Sequence, residues 1–141
     1  MKIYFAGSIR CGREDSAIYA EIIELLSSYG KVLTEHVGNK GLTNWGEVLD
    51  SKDIFDRDMK WLKEADVLIA KITVPSTGVG YEIACAEAFG KKSLCIYRPQ
   101  DGKRISAMVE GNRNVSVKKY KKIEDAKEIF DEFFKKSKLC K

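Results

Sequence analysis

The sequence predicts an α/β fold, with one parallel sheet and helices on both faces, and three observations point to it. Short apolar runs alternate with amphipathic stretches along the chain, which is the pattern of repeated βαβ units. The runs Ile3 to Ala6, Val67 to Ile72 and Leu94 to Tyr97 are almost wholly apolar, as strands covered on both faces are. A chain of 141 residues, 44% of them hydrophobic, makes one domain that buries about two-thirds of the surface of its unfolded chain.

Taken in order, Ile3 to Ala6 is the first strand. A helix follows, because Ile18, Ile22, Leu25, Leu26 and Tyr29 recur at helical spacing and Gly30 caps its end. Val32 to Val37 is a further strand. Gly38 to Lys52 has weak periodicity, more glycine and a lone Trp45, so it is expected to be a long connection with at most one helical turn. Two readings of it are open, a lid or a surface loop pinned by Trp45. Asp53 to Ala65 is a helix, Val67 to Ile72 a strand and Val79 to Phe89 an apolar helix. Leu94 to Tyr97 is the next strand, and the chain finishes with a helix over about residues 123–136 that contains Phe133 and Phe134. The basic runs Lys118 to Lys122 and Lys135 to Lys141 read as a solvated face and a frayed tail. No repeat, linker or low-complexity segment interrupts the chain, so residues 1–141 are expected to form one domain, with a core over 1–111.

Composition narrows the chemistry. His36 is the only imidazole, so a zinc site built on several histidines is excluded, and acid/base work falls to carboxylates, Tyr, Lys or water. Cys11, Cys85, Cys95 and Cys140 form no C-x-x-C pair. With no secretory leader in evidence, reduced thiols in a cytoplasmic protein are expected. No apolar run approaches the roughly 20 residues of a membrane span. The net charge of +4 suits a small phosphorylated ligand and is too mild to argue for a nucleic-acid polymer.

Three stretches break local rules. On a wheel of about 100° per residue, Asp53 to Ala65 gathers Ile54, Phe55, Met59, Trp61, Leu62 and Ala65 on one side, with Asp53, Asp56, Arg57, Lys60, Lys63 and Glu64 opposite. Asp58 lies within the apolar side, where desolvation raises a carboxyl pKa unless donors or cations compensate. It is either an acid catalyst or a cap on a neighbouring loop. In Thr73 to Glu82, Pro75 ends a strand, Gly78 and Gly80 permit tight turns, and Glu82 stands near the start of an apolar helix with no cation at i+3, i+4 or i+7. Glu82 is either a functional carboxylate or a partner of the helix dipole. The run Ile3 to Asp15 passes from a strand through Gly7, Ser8 and two arginines into a helix, which suits a phosphate cradle. It matches neither the P-loop nor the dinucleotide fingerprint. This loop, the Pro75 to Gly80 loop and the Arg98 to Met108 loop all follow predicted strands, so they gather at the carboxyl edge of the sheet, where open α/β folds bind ligands.

These stretches contain YFAGSIR at Tyr4 to Arg10, VLTEHV at Val32 to Val37, DMKW at Asp58 to Trp61, EADV at Glu64 to Val67, PSTGVGYE at Pro75 to Glu82, and RPQDG followed by SAM at Ser106 to Met108. In that order and spacing, from Tyr4 to about Met108, the chain resembles the 2'-deoxynucleoside 5'-phosphate N-hydrolases of the nucleoside 2-deoxyribosyltransferase superfamily. The resemblance implies a Rossmann-like or flavodoxin-like sheet and hydrolysis of the N-glycosidic bond of a deoxynucleoside monophosphate, with no cofactor and no metal. By position it implies that Glu82 is the nucleophile, Asp58 the acid/base carboxylate and Tyr4 the residue that orients the nucleophile. Gly7, Ser8, Ile9, Arg10, Ser76 and Gly78 match substrate and phosphate loops. Tyr19 and His36 match positions lining the pocket. Ser106, with Ala107 and Met108, matches a segment that reaches the 5'-phosphate from the neighbouring subunit of a homodimer. The residues also admit a 2-deoxyribosyltransferase, a phosphoribohydrolase acting on ribonucleotides, and a non-enzymatic nucleotide-binding module.

Overall fold

The computed structural model describes residues 1–7, 16–34 and 50–139. Among these residues five strands, β1 (Lys2–Ala6), β2 (Lys31–Val32), β3 (Val67–Lys71), β4 (Lys92–Tyr97) and β5 (Val115–Lys119), form one all-parallel sheet in the order β2-β1-β3-β4-β5. This is the doubly wound, flavodoxin-like order, with its switch point between β1 and β3. The helices are α1 (Ser16–Ser27), α2 (Ser51–Glu64), α3 (Thr77–Ala88), α4 (Ala107–Glu110) and α5 (Ile123–Leu139). No helix among the described residues is long and apolar enough to cross a membrane.

Because strand side chains alternate faces, each apolar strand feeds two cores. Ile3, Phe5, Val67, Ile69, Leu94 and Ile96 pack with α1 and α5. Tyr4, Ala6, Leu68, Ala70 and Cys95 pack with Leu62 of α2 and Val79, Ile83 and Ala86 of α3. The first core is aromatic: Tyr29 stacks on Phe134 with ring centroids 4.6 Å apart and meets Phe130 edge-on at 6.2 Å. The second is built from smaller residues, which brings α2 and α3 close to the sheet near Tyr4.

Several boundaries differ from the sequence expectation for physical reasons. β2 pairs over two residues only. After it, Leu33 N–H bonds to Ile3 O at 2.9 Å, and the buried Thr34 hydroxyl serves both Phe5 N–H (2.9 Å) and Phe5 C=O (2.7 Å). A side chain therefore does the work of the next ladder step, and residues 35–37 lie outside the described residues. α2 starts two residues earlier than periodicity indicated, because Asp50 caps it by accepting from Asp53 N–H at 3.0 Å. β5 falls on a stretch whose end the sequence reading gave to a solvated basic face; it is half-polar, with Val115 buried and Ser116, Lys118 and Lys119 exposed. α5 runs three residues beyond 136, so part of the lysine-rich tail is helical. α3 is not the buried helix its composition suggested: Tyr81, Ala84, Ala88 and Phe89 are exposed.

Thr34→Val keeps the shape but leaves the buried amide and carbonyl of Phe5 without partners. The expected loss is about 2 to 3 kcal/mol of folding stability, seen as a lower urea midpoint with an unchanged slope.

Candidate active site

Three elements converge beside the switch point. β1 presents Tyr4, α2 presents Asp58 and α3 presents Glu82. Ser76 starts α3 by accepting from Val79 N–H at 3.3 Å. That start puts Glu82 in the second turn, beyond the end where a helix dipole acts strongly, so the dipole reading of Glu82 falls away. Its side chain turns to the sheet instead, where the buried Tyr4 hydroxyl donates to Oε2.

Burial governs the titration of this pair. Desolvation pushes the Glu82 carboxyl up to about 7; the Tyr4 hydrogen bond opposes that rise and the charge of Asp58 adds to it. Burial first, then the neighbouring Glu82 and Asp58, hold the Tyr4 phenol firmly protonated, while Arg57 works weakly the other way. Tyr4 is therefore a fixed donor and Glu82 a carboxyl that exchanges its proton near neutrality.

The setting of Asp58 differs from the expected apolar wall. Arg57 Nε and Nη2 both donate to Asp58 Oδ1, at 3.0 and 2.9 Å, with about a fifth of each side chain exposed. The Arg57 guanidinium also sits 4.7 Å from the centre of the Trp61 ring. The helical wheel sent Arg57 to the solvent side; its length lets it bend back along the helix, and the Arg57/Trp61 spacing of four residues was the available signal.

Asp58 and Glu82 open into one cavity of about 500 Å³ whose walls include Ile54, Phe55, Met59 and Tyr81, with Thr77 and Gly78 at its rim. Phe55 and Tyr81 meet edge-to-face at 6.2 Å and are about half exposed; sequence reasoning named neither as a site residue. A second cavity, about 350 Å³, lies on the other side of the start of α3 and is lined by Ser76, Arg104, Ile105 and Ser106. Thr77 borders both.

The structure thus gathers Tyr4, Asp58, Glu82 and Gly78 and sets Ser76 close by. Ser106 accepts from Met108 N–H at 3.2 Å and starts α4, while Ala107 and Met108 stand exposed; within the protomer none of the three lines the carboxylate cavity. Tyr19 is buried on the opposite face of the sheet, against Phe5 and under Lys71 Nζ at 4.7 Å. Gly7 rests on its ring, where an added Cβ would come within 3.4 Å of Tyr19. Ser8, Ile9, Arg10 and His36 lie outside the described residues.

The folded protein binds a proton at Glu82 more tightly than the unfolded chain does, since 4.5 becomes about 7. The stability tied to that protonation is full below about pH 4.5 and is lost as pH rises through about 7. Glu82→Gln stays neutral throughout. It is expected to exceed the native protein in stability at about pH 8.5 by up to about 3 kcal/mol and to converge with it in acid, as urea midpoints across pH will show.

The model of the nucleoside 2-deoxyribosyltransferase family matches residues 3–131. A 5-hydroxymethyl-dUMP N-hydrolase of Esox lucius is 50% identical over 141 residues, spanning 96% of this chain and 97% of that relative. One of Danio rerio is 47% identical over 140 residues, spanning 95% and 96%. Among solved structures, a CMP N-glycosidase of Clostridium botulinum superposes with a TM-score of 0.68 at 20% identity, covering 94% of this chain and 99% of that one. A 2-deoxyribosyltransferase of Bacillus psychrosaccharolyticus gives 0.67 at 18% identity, covering 90% of each. At such identities these two establish the fold, whereas the match over residues 3–131 and the near-complete relatives go further: the chain belongs to the nucleoside 2-deoxyribosyltransferase family.

Proposed function

We propose that the protein hydrolyses the N-glycosidic bond of 2'-deoxynucleoside 5'-monophosphates to a free base and 2-deoxyribose 5-phosphate. The observation that carries this reading is a pair of carboxyl groups, Asp58 and Glu82, facing one apolar-walled cavity with Tyr4 bonded to Glu82. Cleavage builds positive charge at C1', which a charged Glu82 stabilises and then bonds. The C1'–N electron pair leaves with the base, and Asp58 supplies the base with a proton. In the second step Asp58 takes a proton from water, the water oxygen bonds C1', and the ester to Glu82 breaks. Tyr4 holds the Glu82 oxygen in place through both steps. A phosphate held at a distance, by Ser76 and the loop after β1, would fix C1' against Glu82.

Relatives of about half identity are named as 5-hydroxymethyl-dUMP N-hydrolases, so that nucleotide heads the panel of substrates for this chain. The native protein is expected to release base from one or more of 5-hydroxymethyl-dUMP and the common deoxymonophosphates, and Glu82→Ala to release none while keeping its fold. Chromatography of the released bases is the measurement; substantial turnover by the variant would remove Glu82 as nucleophile. The family's transferase members favour one further reading, transfer of the same intermediate to a second base, which would appear as a new nucleotide when that base is added.

The working unit we infer is a cytoplasmic homodimer in which Ser106 serves the partner's site. What supports it is the placement of Ser106 away from its own carboxylate cavity, the 85% exposure of Met108 beside it, and the half-exposed Phe55 and Tyr81 in the cavity wall. Among the described residues, the free thiols of Cys85 and the buried Cys95 fit a reducing compartment. Mixed protomers test the sharing. If Glu82→Ala and Ser106→Ala are each poorly active, unfolding and refolding them together should restore about a quarter of native activity, because half of the dimers then hold one intact composite site. No recovery would place Ser106 in its own protomer's site.

A further inference from the structure

The surroundings of the two carboxyl groups oppose the charge arrangement that the first chemical step needs. Cleavage requires a charged Glu82 and a protonated Asp58. Arg57 places two N–H donors on Asp58 Oδ1, at 3.0 and 2.9 Å, and a guanidinium at that distance favours the charged form of a carboxyl. Among the described residues no cation bonds Glu82; its hydrogen-bond partner is the Tyr4 hydroxyl, and it is largely withdrawn from water. The charged and titratable groups acting on Asp58 include Arg57 from its own helix, Glu82 from α3 and Tyr4 from β1.

We propose that Arg57 is a positioning residue that keeps Asp58 charged while the site is empty, so that the site's single proton rests on Glu82 and the nucleophile is masked until substrate enters. The inference rests on the hydrolytic reading above. It assigns to Arg57 a different effect on each half of the reaction. In the first half Asp58 must carry a proton, and Arg57 opposes that form. In the second half Asp58 must take a proton from water, and Arg57 supports the charged form that does so. The Trp61 face, 4.7 Å from the guanidinium, gives Arg57 an attractive surface to rest on when Asp58 is engaged with the departing base.

Arg57→Gln removes the charge, and Arg57→Lys keeps it without the planar fork. kcat/KM follows the fraction of free enzyme with charged Glu82 and protonated Asp58, which belongs to the coupled pair and not to either residue alone. With Gln at 57, the acid limb of kcat/KM is expected to move to higher pH by about one unit, and kcat/KM above that limb to rise by up to about tenfold. kcat falls, because water activation loses its support, and the Lys variant lies between the two. A purely structural role for Arg57 would lower kcat/KM by one factor at all pH values and leave the limbs in place; that result, or superimposable profiles, overturns the proposal. Carboxyl carbon NMR on protein labelled at Asp and Glu, with the Asp58 signal identified by its loss in Asp58→Asn, reads the same effect without turnover. If the Asp58 titration moves up in Arg57→Gln but the native protein cleaves no monophosphate, the reaction reading fails and the proton placement stands. If the native protein is active and the Asp58 titration does not move, the proposal fails alone.

Discussion

The hydrogen bond from Tyr4 to Glu82 ties the middle of a central strand to the second turn of the helix that follows the next strand. It costs burial of two polar groups that, left apart, would each lack a partner. Its presence fixes how α3 is rotated about its axis, and so where Gly78 and Tyr81 stand relative to α2. The link adds a directional constraint to the apolar contacts of Val79, Ile83 and Ala86, which specify rotation less sharply. The bond thus contributes to the fold while holding a carboxyl oxygen in a chosen place.

The two faces of the sheet divide the labour. The α1/α5 side is dense with Tyr29, Phe130 and Phe134 in mutual ring contact. The α2/α3 side uses Ala6, Ala65, Ala70 and Ala86 next to Tyr4, and there the carboxyl groups and the cavity are found. Large side chains stabilise one side by buried area. Small ones on the other leave room for polar groups to approach the sheet and each other. A substitution that enlarged one of those alanines would press on the site before it affected the rest of the domain.

Most of the architecture was legible because parallel strands covered on both faces have continuous apolar runs, and because α1 repeats its apolar residues at helical spacing. β5 escaped because Val115 to Lys119 is half-polar, and basic composition outweighed alternation. α4, four residues long, has no periodicity to read. The site was legible where burial conflicts with charge, as at Asp58 and Glu82. It was misread where a side chain's reach matters more than its position on a wheel: Arg57 belongs by angle to solvent and by length to Asp58. The exposed side of α3 was misread for a related reason, since Ala, Cys, Tyr and Phe signal burial without saying against what.

Thr34 has a consequence for how copies of the chain can meet. Its hydroxyl occupies the donor and the acceptor of Phe5 that a longer β2 would have used, so among the described residues that margin of the sheet pairs over two residues. The opposite margin, β5, carries exposed Lys118 and Lys119. A blunt margin and a charged one both discourage strand addition, the route by which sheet proteins join into fibres.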